Sequence, residues 1–143
     1  MEFPYIDFED GRGRIRHRPY LPIVLGFGGK NIRISHALVD TGSDISIFPM
    51  SIARDLSIPL EDTEGILITS ANGADSPVYP SQRPVHYTIE AKKGHRPISF
   101  QGTAYFSYEE STNLLGHYEC LERFDLTFYG TQKKLSVLPT FKL

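Results

Sequence analysis

The sequence is poor in the residues that hold a chain together covalently or through metal. Among its 143 residues there is one Cys, no Trp and two Met. A lone Cys120 excludes an internal disulfide framework and a multi-Cys zinc site. The five histidines, His17, His36, His86, His95 and His117, form no i,i+4 pair on a helix, so no metal and no cofactor is expected. Charge of one sign is also lacking. Fifteen Lys+Arg against 17 Asp+Glu leave a net charge of −2, which provides no electrostatic footprint for nucleic acid. No apolar run approaches the roughly 18 residues needed to span a bilayer, and Met1-Glu2-Phe3-Pro4 lacks the basic-then-apolar order of a signal peptide. The expectation is a soluble, cytoplasmic protein with neither nucleic acid nor membrane as partner. No serine sits in Gly-x-Ser-x-Gly, and the cluster from Gly26 to Lys30 lacks the Gly at Val24 and the Ser/Thr at Asn31 that a phosphate loop requires.

What remains is the composition of one globular domain, 40% hydrophobic and 22% charged. Glu2, Asp7, Glu9 and Asp10 precede Arg12, Arg14, Arg16 and Arg18, two blocks that cancel and read as a solvated arm over 1–18, before a domain over 19–143. From Tyr20 onward the pattern is β. Leu21 to Leu25 runs into the Gly26-Phe27-Gly28-Gly29 turn, and Ile32, Ile34 and Ala37-Leu38-Val39 return as a second strand. Pro49, Ile52 and Leu56 predict one short helix with Pro49 as its first residue, ended by Pro59. Gly65 to Thr69 and Val78-Tyr79 flank Asn72-Gly73 as a hairpin. Val85, Tyr87 and Ile89 alternate with polar residues, and Ile98, Phe100, Gly102, Ala104 and Phe106 continue that period of two. A short strand ending at Leu114-Leu115-Gly116, a helical turn through Cys120, Leu121 and Phe124, and a closing hairpin around Gly130-Thr131 complete the reading. Cys120, flanked by apolar positions, reads as buried packing rather than a nucleophile.

One segment combines chemistry with placement. In Ala37-Leu38-Val39-Asp40-Thr41-Gly42-Ser43-Asp44-Ile45-Ser46-Ile47-Phe48-Pro49, an apolar strand delivers a carboxylate into a tight turn and a second apolar strand leaves it. Such a turn exposes Asp40 at the end of a rigid element, and Gly42 lets the backbone pass close to whatever Asp40 faces.

This segment resembles the active-site strand of the retropepsin-like aspartic proteases, in which two apolar residues precede Asp-Thr/Ser-Gly-Ala/Ser and a short apolar strand follows. The family's second signature, two apolar residues and Gly, is matched by Leu114-Leu115-Gly116, and the similarity runs from about Tyr20 to Val137. The resemblance implies a mainly β, single-domain, closed barrel-like acid protease fold with one or two short helices. It implies that Asp40, Thr41 and Gly42 are catalytic: Asp40 as the aspartate, Thr41 as the residue whose hydroxyl ties two subunits' loops together, and Gly42 as the turn glycine. Ser43, Asp44, Ile45, Ile47, Asn72, Gly73 and Val78 are expected to bind substrate. The hairpin from about Ile66 to Tyr79 lies where the family keeps its flap. A hydroxyl at Ser43 could donate to the neighbouring carboxylate and favour its ionised form, shifting activity toward acidic pH. Two departures stand out: the family often continues Leu-Gly with Arg and then Asp or Asn, where this chain has His117 and Tyr118, and the hairpin tip carries one glycine where viral flaps carry several.

The implied reaction is hydrolysis of a polypeptide by water activated between two carboxylates that share a proton. The sequence holds one Asp-Thr-Gly, and 143 residues leave no room for a second lobe. A homodimer with one Asp40 from each chain on a two-fold axis follows. The alternative is a non-catalytic peptide-binding or dimerisation module on the same fold, holding an extended segment by strand pairing.

Overall fold

Alternation of apolar and polar residues sets which face of each strand is buried, and strands dominate the computed structural model. It describes residues 1–60, 63–69 and 73–141. In chain order the elements are β1 (Glu2–Pro4), β2 (Ile6–Glu9), β3 (Ile15–Arg18), β4 (Tyr20–Phe27), β5 (Lys30–Val39), β6 (Ile47–Pro49) and α1 (Met50–Asp55). There follow β7 (Ile66–Thr69), β8 (Asp75–Pro80), β9 (Val85–Ile89), β10 (Ile98–Gly102), β11 (Tyr105–Ser107), β12 (Asn113–Leu115), a 3-10 turn (Leu121–Arg123), β13 (Phe124–Tyr129) and β14 (Lys134–Pro139). No helix among the described residues is long and apolar enough to cross a membrane.

Nine strands form one sheet in the order β10-β9-β4-β5-β12-β6-β11-β8-β7. The expected β4–β5 hairpin turns at Gly28 and Gly29, whose φ of 57° and 84° are open to glycine at no steric cost. Its alternate side chains Leu21, Ile23 and Leu25 are buried and continue the core through Ile34, Phe48, Val85, Tyr87 and Phe106. The predicted closure into a barrel is not seen as hydrogen bonding: among the described residues the sheet ends in two edges, β10 and β7.

The helix is present, but Pro49 is its N-cap rather than its first residue. The period-two run from Ile98 to Phe106 is not one strand. β10 pairs with β9, whereas β11 leaves to pair with β6 and β8. The break falls at Gly102, where a Cβ would lie 2.7 Å from the Glu119 carbonyl oxygen, so the crossing backbones require a residue without a side chain.

The N-terminal 18 residues differ from the expected arm. β1 is an outer strand of a three-stranded sheet, β1-β14-β13, and Phe3 is 4% exposed in the core. Only β2 and β3 stand apart as a two-stranded hairpin. There the charge blocks compensate as expected, with Arg16 Nε 3.0 Å from Asp10 Oδ2, and Asp7 paired with His17. Asp10 accepts from the Arg12 and Arg14 amides and the Arg16 side chain, which holds its carboxyl below the usual range.

Candidate active site

Asp40 is the first residue beyond β5, and its position depends on a strand from far along the chain. β12 lies between β5 and β6, parallel to the first and antiparallel to the second. Its register sets Leu115 beside Val39, and the Asp40 amide donates to the Leu115 carbonyl at 3.0 Å. The turn then closes on itself. The Ser43 amide donates to the Asp40 carbonyl at 3.1 Å, and the Gly42 amide donates to Asp40 Oδ1 at 3.0 Å. One carboxylate oxygen is thereby oriented by the turn's own backbone.

The segment after β12 clasps the other side of the turn. The His117 amide donates to the Ser43 carbonyl at 3.0 Å, and the Tyr118 amide donates to the Asp44 carbonyl at 2.8 Å. The His117 ring adds a third tie, with Nε2 2.7 Å from the Thr41 carbonyl oxygen, a contact that requires the proton on Nε2. Thus His117, which stands where the family often has Arg, holds a backbone carbonyl of the turn rather than a carboxylate. Between these ties Gly116 is pressed against the loop: a Cβ there would lie 2.2 Å from the Ile45 carbonyl oxygen. The Gly116 amide donates to Ser46 Oγ at 3.0 Å, and Ser46 is fully buried.

Several expected site residues therefore meet here, in different capacities. Thr41, Gly42 and Asp44 are exposed and Asp40 is half-buried. The Ser43 hydroxyl does not reach the carboxylate. It donates instead to the Ile45 carbonyl at 2.7 Å, because the turn folds that carbonyl back onto it. Ile45 takes part in the same interlock through its backbone.

Ile47 and Val78 come together elsewhere. They line a cavity of about 190 Å³ beneath the β7–β8 hairpin, with Ile68, Ser76, Ser107, Glu109 and Glu110. The hairpin pairs Ile66 with Val78 through to Thr69 with Asp75, as the sequence predicted. Gly73 is exposed at its end with φ of 83°. Asn72 lies outside the described residues.

Sequence reasoning did not single out Ser46, Glu109 or Glu110, and gave Gly116 no physical task. The signal for Ser46 is a lone hydroxyl inside the apolar run Ile45 to Phe48, which needs a partner when buried. Cys120 is buried as expected, and burial pushes its thiol up to about 12.

No protein-family model and no curated protein matches the sequence. Among solved structures, the chain is similar to a retropepsin-like aspartic protease from Rickettsia conorii at 18% identity and a TM-score of 0.55, covering 96% of this chain and 98% of that one. It also matches the EIAV protease complexed with the inhibitor HBY-793 (19% identity, TM-score 0.48, 70% of this chain and 82% of that one). A third match is the retroviral protease-like domain of Ddi1 from Leishmania major (12% identity, TM-score 0.44, 87% and 95%). The likeness to the Rickettsia protein runs nearly end to end on both chains, and the chain has the retropepsin-like fold.

Proposed function

We propose that this chain is one half of a homodimeric aspartic endopeptidase, with the Asp40 carboxylates of two copies meeting on a two-fold axis. The observation that carries the reading is the Asp40 turn, whose carboxylate is oriented by the Gly42 amide while its backbone is tied by hydrogen bonds to the distant segment from Leu115 to Tyr118. An ordinary surface turn has no need of that interlock. The sequence holds one Asp-Thr-Gly, and in this reading the second carboxylate comes from a second copy.

In the pair, the ionised carboxylate accepts a proton from water as the water attacks the peptide carbonyl, and the protonated one donates to the carbonyl oxygen. Like charges at hydrogen-bond distance do not both ionise readily, so the pair titrates in two steps. The Gly42 amide on Oδ1 fixes the carboxylate plane and leaves Oδ2 for the partner or the water. The exposed Thr41 is available to meet the partner's loop, and its carbonyl is held by His117. The β7–β8 hairpin serves as the flap over an extended polypeptide, with Gly73 near its tip and Ile47 and Val78 walling a subsite.

Asp40→Asn keeps the shape and removes the ionisable group. The expected outcome is complete loss of cleavage of an unfolded protein substrate, with an unchanged sedimentation coefficient for the dimer. Full cleavage by the variant, or a strictly monomeric wild type that still cleaves, overturns the reading. A wild type that binds extended peptides without cutting them supports the binding-module alternative instead.

A further inference from the structure

The cavity beneath the hairpin has two kinds of wall. Ile47 and Val78 are both more than nine-tenths buried and, with Ile68, make an apolar floor. Its other side is acidic. Glu109 and Glu110 follow β11, both of their amides donate to the buried Ser107 Oγ, at 3.1 and 3.2 Å, and both residues line the cavity. Among the described residues, each carboxylate is held through one oxygen. Glu109 Oε2 accepts from Ser76 Oγ at 2.6 Å, and Glu110 Oε1 accepts from the Ser111 and Thr112 amides at 3.1 and 2.8 Å. Among the described residues, the remaining oxygens, Glu109 Oε1 and Glu110 Oε2, have no hydrogen-bond partner, and neither glutamate forms an ion pair with a cation.

From this we infer that the cavity is a specificity pocket for a cationic side chain, lysine or arginine, of an extended polypeptide. The inference rests on the cleft assignment above and adds the substrate class. A lysine or arginine stem is apolar and its head is charged, so it can lie along Ile47, Ile68 and Val78 with its head between the two free oxygens. An aliphatic residue of the same length fills the floor and leaves the carboxylates unpaired. An acidic residue brings a third negative charge to the opening. Because Ser76 belongs to β8, its bond to Glu109 also couples the pocket to the hairpin that covers it.

The test uses a mixture of decapeptides randomised at each position, selected for binding to the full-length Asp40→Asn protein, so that binding is read without hydrolysis. The expected result is one position enriched in Lys and Arg about tenfold over Met, as charge-assisted hydrogen bonds would produce. The enrichment should vanish when Glu109→Gln and Glu110→Gln are added, while apolar residues are still accepted there. No cation-enriched position, an enrichment in Asp or Glu, or an enrichment that survives both Gln substitutions overturns the inference. Selective binding by a wild type that cleaves no peptide would refute the protease reading and leave the pocket standing. Cleavage without cation preference would do the reverse.

Discussion

Gly116→Ala places a single methyl group where the Asp40 loop crosses the segment after β12. The added Cβ would lie 2.2, 2.4 and 2.7 Å from the carbonyl oxygen, carbonyl carbon and amide nitrogen of Ile45, all backbone atoms that cannot rotate aside. Ordinary contact begins at about 3.4 Å, so the two backbones must separate by about 1 Å. That separation stretches the Gly116 to Ser46, His117 to Ser43 and Tyr118 to Asp44 hydrogen bonds together. Overpacking of this kind costs about 3 kcal/mol. For a chain of this size each kcal/mol moves the melting temperature by about 3 °C, which predicts a fall of about 10 °C. On the proposed function, a 1 Å displacement of the Asp40 turn should also lower cleavage by about 100-fold. Circular dichroism melts measure the first quantity. Gly130→Ala is the control, since a Cβ at Gly130 meets nothing within 4 Å, and it should stay within about 0.5 kcal/mol of wild type. If Gly116→Ala melts with the control, the steric argument for the interlock is wrong.

Three further substitutions probe other parts of the fold. Cys120, with its thiol held at about 12 by burial, should resist iodoacetamide at about pH 8 in the native protein and react fully in urea. Its folded value lies above the ordinary 9.0, so the stability that it contributes is complete below pH 9 and is lost as pH rises toward 12. Wild type should therefore lose about 2 kcal/mol more than Cys120→Ala between pH 8 and pH 10.5 in urea titrations, and equal pH slopes would contradict this. Phe3→Ala should cost about 3 kcal/mol, because Phe3 is buried in the core, whereas Ile15→Ala at an exposed position should be within about 0.5 kcal/mol of wild type. Matching urea midpoints for the two would return the N-terminal strand to the status of an arm.

Local features of the fold were legible in the sequence where the information is local. Gly28-Gly29 between two alternating runs predicts the β4–β5 hairpin, and the apolar flanks of Asp40 predict a carboxylate at a strand end. The misses are non-local. Nothing near Phe3 states that it will lie beside Leu135, and the period-two pattern continues through Gly102 although the backbone changes partners there. The resemblance directs the Ser43 hydroxyl to the neighbouring carboxylate, yet the hydroxyl donates to the Ile45 carbonyl two residues on. The site shows the same division: Asp40 announces itself, whereas the partners that hold it, from Leu115 to Tyr118, become neighbours only through the insertion of β12. Glu109 and Glu110 carry no pattern at all until the fold brings them to one cavity with Ile47 and Val78.

The insertion of β12 between β5 and β6 also sets an order of events during folding. β4 and β5 can pair as soon as their turn is made, since a local loop closes at little entropic cost. The Asp40 turn cannot be completed then, because the carbonyl that receives its amide belongs to Leu115. Closing that long loop places the step among the slow, non-local ones that govern folding rates in β proteins. A chain emerging from the ribosome therefore carries Asp40 on an unfinished loop until Leu115 has been added. The turn acquires its long-range ties only once Leu115 to Tyr118 have been made, and fragments truncated before Asn113 lack the strand that holds it.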